Sequence, residues 1–484
     1  MVASEAFGIV KTGGLADVVS ALPPALADHD VEARLLLPAY RGATDNLRVD
    51  HAAAIPLGSP LGDGPARLLP FVHKTLDLAG WLLDCPPLYD RAGGPYLDEA
   101  GHDHPDNHRR FGLLCRVAAL VAMVEGLTGF AVDVVHAHDW QAGLVGAYLE
   151  SFGGVRPPVL FTAHNLHFSG SFDPGVLPEL GLPSAMQQVD GLEFWGATSF
   201  LKGGLYYADK LSTVSPTYAT EIQTESGGEG LYGLLAGRGD DLHGLLNGID
   251  ATVWDPSHDG ELAATYGAGP QPSDGKRACK ADLQERVGLT IDASVPLVGM
   301  VGRLSWQKGV DLLLEALPSL LEHGAQLVVL GSGDGPLELA LRTAAAAHPG
   351  RVAFVQGYNE GLSHRLIAGS DLLAVPSRFE PCGLTQLYAQ RYGTLPVARR
   401  TGGLADTVVD ADAEPRHGNG FTFGPPNAAA LAEALGRGLA CWADKPRWQA
   451  CTAEAMALDR SWTQAVRPYV ALYRALAATT RSSP

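Results

Sequence analysis

Short apolar runs alternate with longer amphipathic runs through the first half of the chain. The short runs favour buried strands, and the longer ones, with apolar residues at helical spacing, favour helices. The predicted strands cover residues 34–37, 132–136 and 159–162, and the predicted helices cover residues 15–27, 110–127 and 141–152. This order is typical of a doubly wound parallel sheet.

A second alternating series begins near residue 297. Its predicted strands cover residues 297–301, 326–330, 352–356, 372–375 and the region of Val397, and its predicted helices cover residues 310–322, 337–347, 362–368 and 384–392. This series indicates a second doubly wound domain.

The stretch 242–258 breaks the alternation and leads into a polar, Gly/Pro-rich segment ending near Asp274, where we place the hinge. We therefore predict an N-terminal Rossmann-like domain over residues 1–246 and a C-terminal one over residues 247–459. The last residues, 460–484, contain a helical pattern at 462–478 and are predicted to pack back onto the first domain.

Two nearly identical glycine loops occur at opposite ends of the chain. Residues 1–5 offer only a stub of a first strand, which suggests either a misassigned start codon or a trimmed chain. Lys11-Thr12-Gly13-Gly14 then leads into a helix. Thr401-Gly402-Gly403 follows another predicted strand, after Arg399 and Arg400. The first N–H groups of a helix lack partners and its dipole places positive charge there, which favours an anion. Only the first loop has its own lysine, so it is predicted to meet phosphate, whereas the second is predicted to give mainly backbone contacts.

Composition and charge restrict the class of protein. A chain of 484 residues exceeds the size of most single cores, so two domains are expected. With 53 acidic and 35 basic residues the net charge is −18, which argues against nucleic acid or an anionic membrane as a partner. We find neither a signal peptide nor a run long enough to span a bilayer, and six dispersed cysteines favour reduced thiols. We expect a cytoplasmic protein.

Polar side chains cluster where predicted strands end. His136-Ala137-His138-Asp139-Trp140 and Ala163-His164-Asn165 follow two strands of the first half, and the segments 302–309 and 377–383 follow two strands of the second. Open α/β sheets bind ligands at the carboxyl ends of their strands. We therefore expect two domains facing each other across a cleft that these loops line.

Seven collinear motifs make a family resemblance specific. They are KTGGLADV at 11–18, HAHDW at 136–140, HNL at 164–166, NGID at 247–250, GRLSWQKG at 302–309, SRFEPCGLTQL at 377–387 and TGGLADTV at 401–408. Over nearly the whole chain they resemble the bacterial glycogen synthase and plant starch synthase family. The resemblance implies an α/β protein of GT-B type and transfer of glucose from ADP-glucose to the non-reducing end of an α-1,4-glucan, such as glycogen, with retention of configuration.

The chemistry of the residues agrees with that activity. Cleaving a sugar nucleotide leaves a diphosphate, whose growing charge requires cations and N–H groups aimed at it. By resemblance Arg303 and Lys308 contact the diphosphate, and Lys11 with the Gly13 and Gly14 amides completes the pocket. Glu380 would lie against the donor glucose and stabilise oxocarbenium character. Many retaining GT-B enzymes carry a second glutamate eight positions later, where this chain has Tyr388.

The remaining site residues are also assigned by resemblance. His164 would lie beside the anomeric carbon, and Asp139 with Trp140 would border the acceptor glucan. Weaker assignments are Glu5, Asp17 and Tyr96, of which Asp17 could be only a first-turn helix acid. For the nucleotide, Tyr358 resembles an adenine-stacking residue and Asn247 could touch the nucleotide or sugar. The loop and helix start after Glu380 complete the donor-binding set: Cys382, Gly383, Leu384 and Thr385.

Two metal-like patterns and one nucleotide-like pattern have simpler interpretations. The segment 101–108, rich in His and Asp, is interpreted as a solvated loop, and Asp410-Ala411-Asp412 as a chance DxD string. Gly331 and Gly333 imitate a dinucleotide fingerprint but lack its third glycine and its acid, so we predict a tight turn. Because Arg303 and Lys308 supply positive charge, no metal or other cofactor is expected.

Three alternative functions remain open from the sequence. A related GT-B enzyme could use UDP-glucose or another acceptor, making for example sucrose or a sugar phosphate. A glucan phosphorylase would carry pyridoxal phosphate on a lysine. A non-catalytic glucan-binding protein would bind glycogen without turnover.

Overall fold

The computed structural model describes residues 1–269 and 273–481. Residues 270–272 of the predicted Gly/Pro-rich segment and residues 482–484 of the predicted C-terminal segment lie outside the described residues. The chain divides into two compact units. The first comprises residues 1–248 and the segment that begins at Trp462, and the second comprises residues 249–461.

The first unit is an α/β structure with mixed strand directions. Its strands are β1 (Leu35–Pro38), β2 (Leu47–Val49), β3 (Ile55–Gly58), β4 (Ala66–His73), β5 (Ala79–Asp84), β6 (Val135–His138), β7 (Val159–Ala163), β8 (Ser171–Phe172), β9 (Glu193–Phe194), β10 (Ala197–Ser199), β11 (Lys210–Thr213) and β12 (Leu242–Gly244). Its helices before residue 249 are α1 (Gly14–Ala27), α2 (Pro86–Tyr89), α3 (Asn107–Met123), α4 (Val145–Phe152), α5 (Val176–Glu179), α6 (Phe200–Tyr207), α7 (Pro216–Glu221) and α8 (Tyr232–Gly237).

Parallel pairing joins β6, β7, β11 and β12, and also β1 with β5. The short segment around Val2 connects these two groups, because Val2 N donates to His136 O at 2.8 Å and Leu36 N donates to Met1 O at 2.9 Å. The predicted stub of strand therefore lies between β1 and β6.

Two features of the first unit differ from the prediction. Strands β2, β3 and β4 pair antiparallel, an addition that the apolar pattern did not predict. Strand β6 was predicted over residues 132–136 but covers Val135–His138, so His136 and His138 lie in the strand rather than after it. Both imidazoles are buried and hydrogen-bonded inside the unit, which allows a strand to hold them.

The second unit is a six-stranded parallel sheet covered by helices on both faces. Its elements are α9 (Asp274–Val287), β13 (Leu297–Val301), α10 (Val310–Glu322), β14 (Gln326–Gly331), α11 (Gly335–Ala347), β15 (Val352–Gln356), α12 (Glu360–Gly369), β16 (Leu372–Val375), α13 (Thr385–Arg391), β17 (Leu395–Arg399), α14 (Gly402–Thr407), β18 (Phe421–Phe423), α15 (Ala428–Ala443) and α16 (Lys445–Ala457). The nine elements predicted between residues 297 and 397 are confirmed to within a few residues.

The strand order of the second unit is β15-β14-β13-β16-β17-β18. Alternate residues of β14 enter opposite cores, since Leu327 and Val329 belong to one buried cluster and Val328 and Leu330 to the other. The chain reverses its direction of travel across the sheet between β13 and β16. Such a switch point opens a crevice at the carboxyl ends of its two strands.

The final helix, α17 (Trp462–Arg481), belongs to the first unit. Trp462, Val466 and Tyr469 share a buried cluster with Val18 and Leu22 of α1. The hydroxyl of Tyr473, farther along α17, lies 2.5 Å from His136 Nδ1. No helix in the described part of the chain is both long and apolar enough to cross a membrane.

Candidate active site

The switch point of the second unit brings a lysine and a glutamate together. Lys308 lies in the loop after β13, and Glu380 lies in the loop after the neighbouring strand β16. Lys308 Nζ donates to Glu380 Oε2 at 2.5 Å, and Ser377 Oγ donates to the same oxygen at 2.8 Å. The Glu380 side chain is only 9% exposed and that of Lys308 28%, so a largely buried carboxylate is held by one charged and one neutral donor.

Further contacts fix these two loops to each other. Arg378 N donates to Gln307 O at 2.7 Å, and Gln307 Nε2 donates to Phe379 O at 3.2 Å. The Arg378 guanidinium holds both carboxylate oxygens of Asp311 at the start of α10, at 2.8 and 2.6 Å. These bonds hold the loop of Lys308 and the loop of Glu380 in a fixed arrangement.

The second glycine loop packs against the backbone that follows Glu380. Gly403 N donates to Glu380 O at 3.1 Å. A Cβ at Gly402 would lie 2.1 Å from Glu380 O, and one at Gly403 would lie 2.1 Å from Cys382 O. Gly402 also has a φ of +45°. Both glycines are therefore required by backbone contact within the unit, whereas the sequence predicted backbone contacts from this loop to the ligand.

The other predicted residues of the second unit lie on the same loops or on nearby turns. Arg303 is exposed in the Lys308 loop. Tyr358 is 70% exposed after β15, and its hydroxyl donates to Glu360. Gly331 and Gly333 pack against the loop that carries Arg303 and Lys308, because a Cβ at either glycine would lie within 2.1 Å of a carbonyl oxygen in residues 302–304. The predicted tight turn is not what these glycines form, because Gly331 ends β14 and Gly333 bridges to Leu304.

The start of α13 follows directly on Glu380. Cys382 is buried, Gly383 has a φ of +70°, and Leu384 precedes the first helical residue, Thr385. The predicted donor-binding residues of this segment thus form one continuous turn with Glu380.

Tyr388 stands where the family resemblance would place the second glutamate of many retaining GT-B enzymes, and it is part of the core. Its ring stacks on the Trp254 indole at 3.8 Å, and the His364 ring stacks on Trp254 at 3.7 Å. Asp259 accepts hydrogen bonds from His364 and Tyr392 behind this stack. Tyr388 therefore packs α13, the helix that begins beside Glu380, against the core.

In the first unit, the glycine loop is closed by a buried carboxylate. Glu5 Oε2 accepts from Thr12 N at 2.5 Å and from Gly13 N at 3.3 Å, and its Oε1 accepts from Tyr96 OH at 3.1 Å. Burial raises the pKa of Glu5. The expectation that the Gly13 amide lacks a partner is wrong, because the strand stub before the loop supplies Glu5.

The cation of the same loop also has an internal partner. Lys11 Nζ donates to Asp17 Oδ1 at 2.9 Å, and both side chains are about one-fifth exposed. Asp17 is therefore more than a first-turn acid, since it orients Lys11 at the start of α1.

Asp139 and His164 meet at the ends of β6 and β7. His164 N donates to Asp139 Oδ1 at 2.7 Å, and Asp139 has a φ of +57°, which is rare for a residue with a side chain. Burial raises the pKa of Asp139 to about 7 and lowers the pKa of His164 to about 3. His164 Nε2 shares a 3.0 Å hydrogen bond with His138 Nδ1. At neutral pH His164 is an uncharged hydrogen-bonding group.

Trp140 and Asn247 complete the predicted residues of the first unit. The Trp140 indole packs edge-on against Phe111 at 4.9 Å and contacts Phe172, so much of its surface is used in packing. Asn247 is 7% exposed, and its Oδ1 has no hydrogen-bond partner among the described residues. A buried acceptor of this kind suits a ligand donor.

Sequence reasoning overlooked Ser377 and undervalued Glu5. Ser377 comes two residues after the end of β16, and its hydroxyl donates to the same Glu380 oxygen as Lys308. A hydroxyl three residues before a candidate carboxylate was the available signal. For Glu5 the signal was an acid at the end of the strand stub, seven residues before Thr12.

The two metal-like patterns differ in the structure. The segment 101–108 is not wholly a solvated loop, because His104 and Asn107 are buried and α3 begins at Asn107. The two aspartates of the other pattern have internal partners. Arg437 pairs with Asp410 and Asp412, and Arg447 also pairs with Asp412. Within residues 1–269 and 273–481, no group of three or more His, Cys, Asp or Glu side chains has a metal-binding arrangement. A cavity of about 730 Å³ in the first unit is lined by Met1, Arg34 and Phe130 among others, and none of the predicted site residues lines it.

Comparisons with known proteins agree along the chain. The model of the starch synthase catalytic domain matches residues 1–237, and that of glycosyl transferases group 1 matches residues 283–451. Glycogen synthase from Rhodospirillum rubrum is 48% identical over 472 residues, which cover 98% of this chain and 97% of that protein. Glycogen synthase 2 from Bradyrhizobium diazoefficiens is 48% identical over 483 residues, covering 99% and 98% of the two chains.

Solved structures show the same fold. The catalytic domain of starch synthase IV from Arabidopsis thaliana, bound to ADP and acarbose, matches with a TM-score of 0.86 and 31% identity, covering 99% of this chain and 98% of that one. Sucrose-phosphate synthase from Thermosynechococcus elongatus matches with a TM-score of 0.60 and 19% identity, covering 99% of each chain. The second likeness concerns the fold alone.

Proposed function

Because the chain belongs to the glycogen synthase and starch synthase family of GT-B glycosyltransferases, we propose that it transfers glucose from ADP-glucose to the non-reducing end of an α-1,4-glucan, with retention of configuration. The observation that carries the proposal is the Lys308 and Glu380 pair at the switch point of the second unit. A sugar nucleotide needs a cation for its diphosphate and an anion near its developing oxocarbenium ion, and this pair supplies both.

Lys308 and Arg303 stabilise the diphosphate as its bond to glucose breaks. Glu380, held by Ser377 and Lys308, stabilises positive charge at the anomeric carbon. The acceptor hydroxyl attacks on the face from which ADP leaves, and the departing phosphate takes its proton. Since two side-chain cations provide the charge, the proposal assigns no metal. Cys382, Gly383, Leu384, Thr385 and Tyr358 complete the nucleotide-sugar contacts in this unit.

The proposal gives residues of the first unit the roles implied by the family. Lys11, oriented by Asp17, and the loop of Gly13 and Gly14 contact the diphosphate. The buried Oδ1 of Asn247, which has no partner among the described residues, accepts a hydrogen bond from the sugar nucleotide.

His164 and Asp139 contact the sugars. Since burial lowers the pKa of His164 to about 3, it acts as a neutral hydrogen-bonding group rather than as an acid. A cytoplasmic location belongs to the same proposal and is supported by the six cysteines, all within the described residues and all buried without a disulfide.

The direct test is release of ADP from ADP-glucose in the presence of glycogen, together with chain elongation. Parallel reactions with UDP-glucose, with EDTA and with small acceptors separate the related GT-B activities. An absorbance scan for pyridoxal phosphate identifies a phosphorylase. Glycogen binding without turnover by the folded protein would contradict the proposal and indicate a binding protein.

Matched variants test the site assignment. Glu380→Gln should lower kcat by at least about 100-fold, because one preorganised charge is typically worth that much. His102→Ala is the control, since that imidazole is 82% exposed. Equal losses in the two variants would refute the assignment.

A further inference from the structure

A hairpin of the first unit holds a tryptophan in a strained conformation at its tip. Trp195 and Gly196 are the two loop residues between the paired residues Phe194 and Ala197, with φ values of +50° and +82°. Hairpin loops with two positive φ values prefer Asn-Gly, because larger side chains clash with their own backbone. Trp195 is nevertheless 83% exposed, so burial of the indole does not explain the strain. Strain that packing does not explain points to function.

The hairpin is anchored firmly at its base. Lys202 is 7% exposed, and its Nζ donates to Val189 O at 2.5 Å and to Glu193 O at 2.6 Å. At the tip, Gly196 N donates to Glu193 Oε1 at 2.7 Å. These bonds fix the backbone of the hairpin that carries the exposed indole.

The hairpin is joined to the loop that carries His164. That loop runs from His164 through Phe168 into β8, and β8 pairs with β10 of the hairpin. Phe172 of β8 also contacts the Trp140 indole, with ring centroids 5.9 Å apart. The exposed indole is therefore continuous with the elements to which the proposed function assigns the sugars.

The surroundings of the indole suit a neutral sugar. Gly230 lies against it, since a Cβ there would be 3.0 Å from Trp195 Nε1, and the preceding Glu229 lies 3.7 Å from His167 Nδ1. Carboxylate and imidazole groups bind hydroxyls, and a flat indole face packs on the C–H face of a hexose. The carboxylates of Glu193 and Glu229 disfavour an anionic membrane or nucleic acid.

We propose that Trp195 forms an acceptor subsite, where the indole stacks on a glucose ring of the α-1,4-glucan remote from the reacting end. This inference rests on the proposed function and extends it to the path of the acceptor. It predicts that Trp195 affects long acceptors and leaves the donor and the chemical step unchanged.

The test compares Trp195→Ala with the unchanged protein on glycogen and on maltose. The half-saturating concentration of glycogen should rise about tenfold, as expected for loss of one aromatic stacking contact. The half-saturating concentration of maltose, the KM for ADP-glucose and kcat should stay within about twofold of their values in the unchanged protein. Trp195→Phe should restore most of the glycogen affinity, and Val155→Ala, at another 83% exposed position of the unit, is the control.

Trp195→Asn distinguishes a binding role from a structural one. Asparagine suits a loop with positive φ, so the unfolding temperature should rise while glycogen affinity falls as in Trp195→Ala. A fall in unfolding temperature with unchanged glycogen affinity would overturn the inference.

Affinity electrophoresis in glycogen-containing gels separates this inference from the proposed function, because it needs no turnover. Absence of ADP release by the unchanged protein refutes the proposed function alone. Equal retardation of the unchanged protein and Trp195→Ala refutes the subsite, whatever the activity.

Discussion

Replacing Asp139 by asparagine should stabilise the protein at neutral pH, although it removes a residue assigned to the sugars. Burial raises the pKa of this carboxyl from its ordinary 3.8 to about 7, against the opposing effect of hydrogen bonds from the backbone of His164 and Asn165. The folded state therefore disfavours the charged form. An asparagine oxygen can accept the same bonds without carrying a charge.

The size and sign of the effect follow from linkage. The pKa is higher in the folded state than in the unfolded state, so the folded state binds more protons and loses stability as pH rises. The cost is nearly absent below about pH 4, grows by about 1.4 kcal/mol per pH unit, and levels off above pH 7 at an upper bound of roughly 4 kcal/mol. Asp139→Asn should be free of this cost.

Thermal unfolding of both proteins, measured from pH 5 to pH 8, checks the prediction. The variant should unfold at the higher temperature, and the gap should widen up to about pH 7 and then remain constant. Asp190→Asn, at an exposed position of the same unit, is the control and should show no widening gap. A gap independent of pH, or a variant less stable at pH 8, would refute the argument from burial.

Three further substitutions test the loops. Lys308→Ala should destabilise the second unit by about 1–3 kcal/mol in thermal unfolding, because the buried Glu380 carboxylate loses its charged donor, and should nearly abolish ADP release. Gly403→Ala should lower the unfolding temperature, since its Cβ would meet a carbonyl at 2.1 Å, whereas Gly424→Ala, with open space around it, should not. Gly13→Ala should keep the unfolding temperature, because the nearest atom is 4.0 Å from its Cβ, but should lower kcat/KM for ADP-glucose if the diphosphate approaches this backbone.

The second unit could be predicted closely because the burial of each strand is visible in its own short run of sequence. Strands such as β14 are buried on both faces and therefore appear in the sequence as continuous apolar runs. The first unit was harder. Strand β3 is half exposed and contains Pro56 and Gly58, so it shows no clear apolar pattern. Strand β4 is largely apolar but is interrupted by Pro70, which disfavours a strand in the sequence. Their antiparallel pairing depends on contacts that no short window of sequence reveals.

The candidate site shows the same division. Glu380 and Lys308 were predicted from their place in polar loops after apolar strands together with the family resemblance, and the structure joins them at 2.5 Å. The histidines of β6 were misplaced because polar residues usually mark the end of a strand. Here His136 bonds to Thr162 at 2.6 Å and also to Tyr473 of α17, more than 300 residues later in the chain. A partner so distant leaves no trace in the local pattern.

The two glycine loops share a sequence but satisfy different physical requirements. In the second unit, Gly402 and Gly403 are needed because a Cβ at either would lie 2.1 Å from a backbone carbonyl oxygen of the Glu380 turn. In the first unit, Gly13 is extended, with a φ of −155°, and has space for a side chain. Its amide instead donates to Glu5, a carboxylate whose pKa burial raises. A negative ligand at this loop would compete with that carboxylate for the same N–H groups. Binding of the sugar nucleotide here therefore requires Glu5 either to share these N–H groups with the diphosphate or to bind a proton. The second loop thus shapes the turn that carries Glu380. In the first loop, a ligand would find the Thr12 and Gly13 amides already bonded to Glu5.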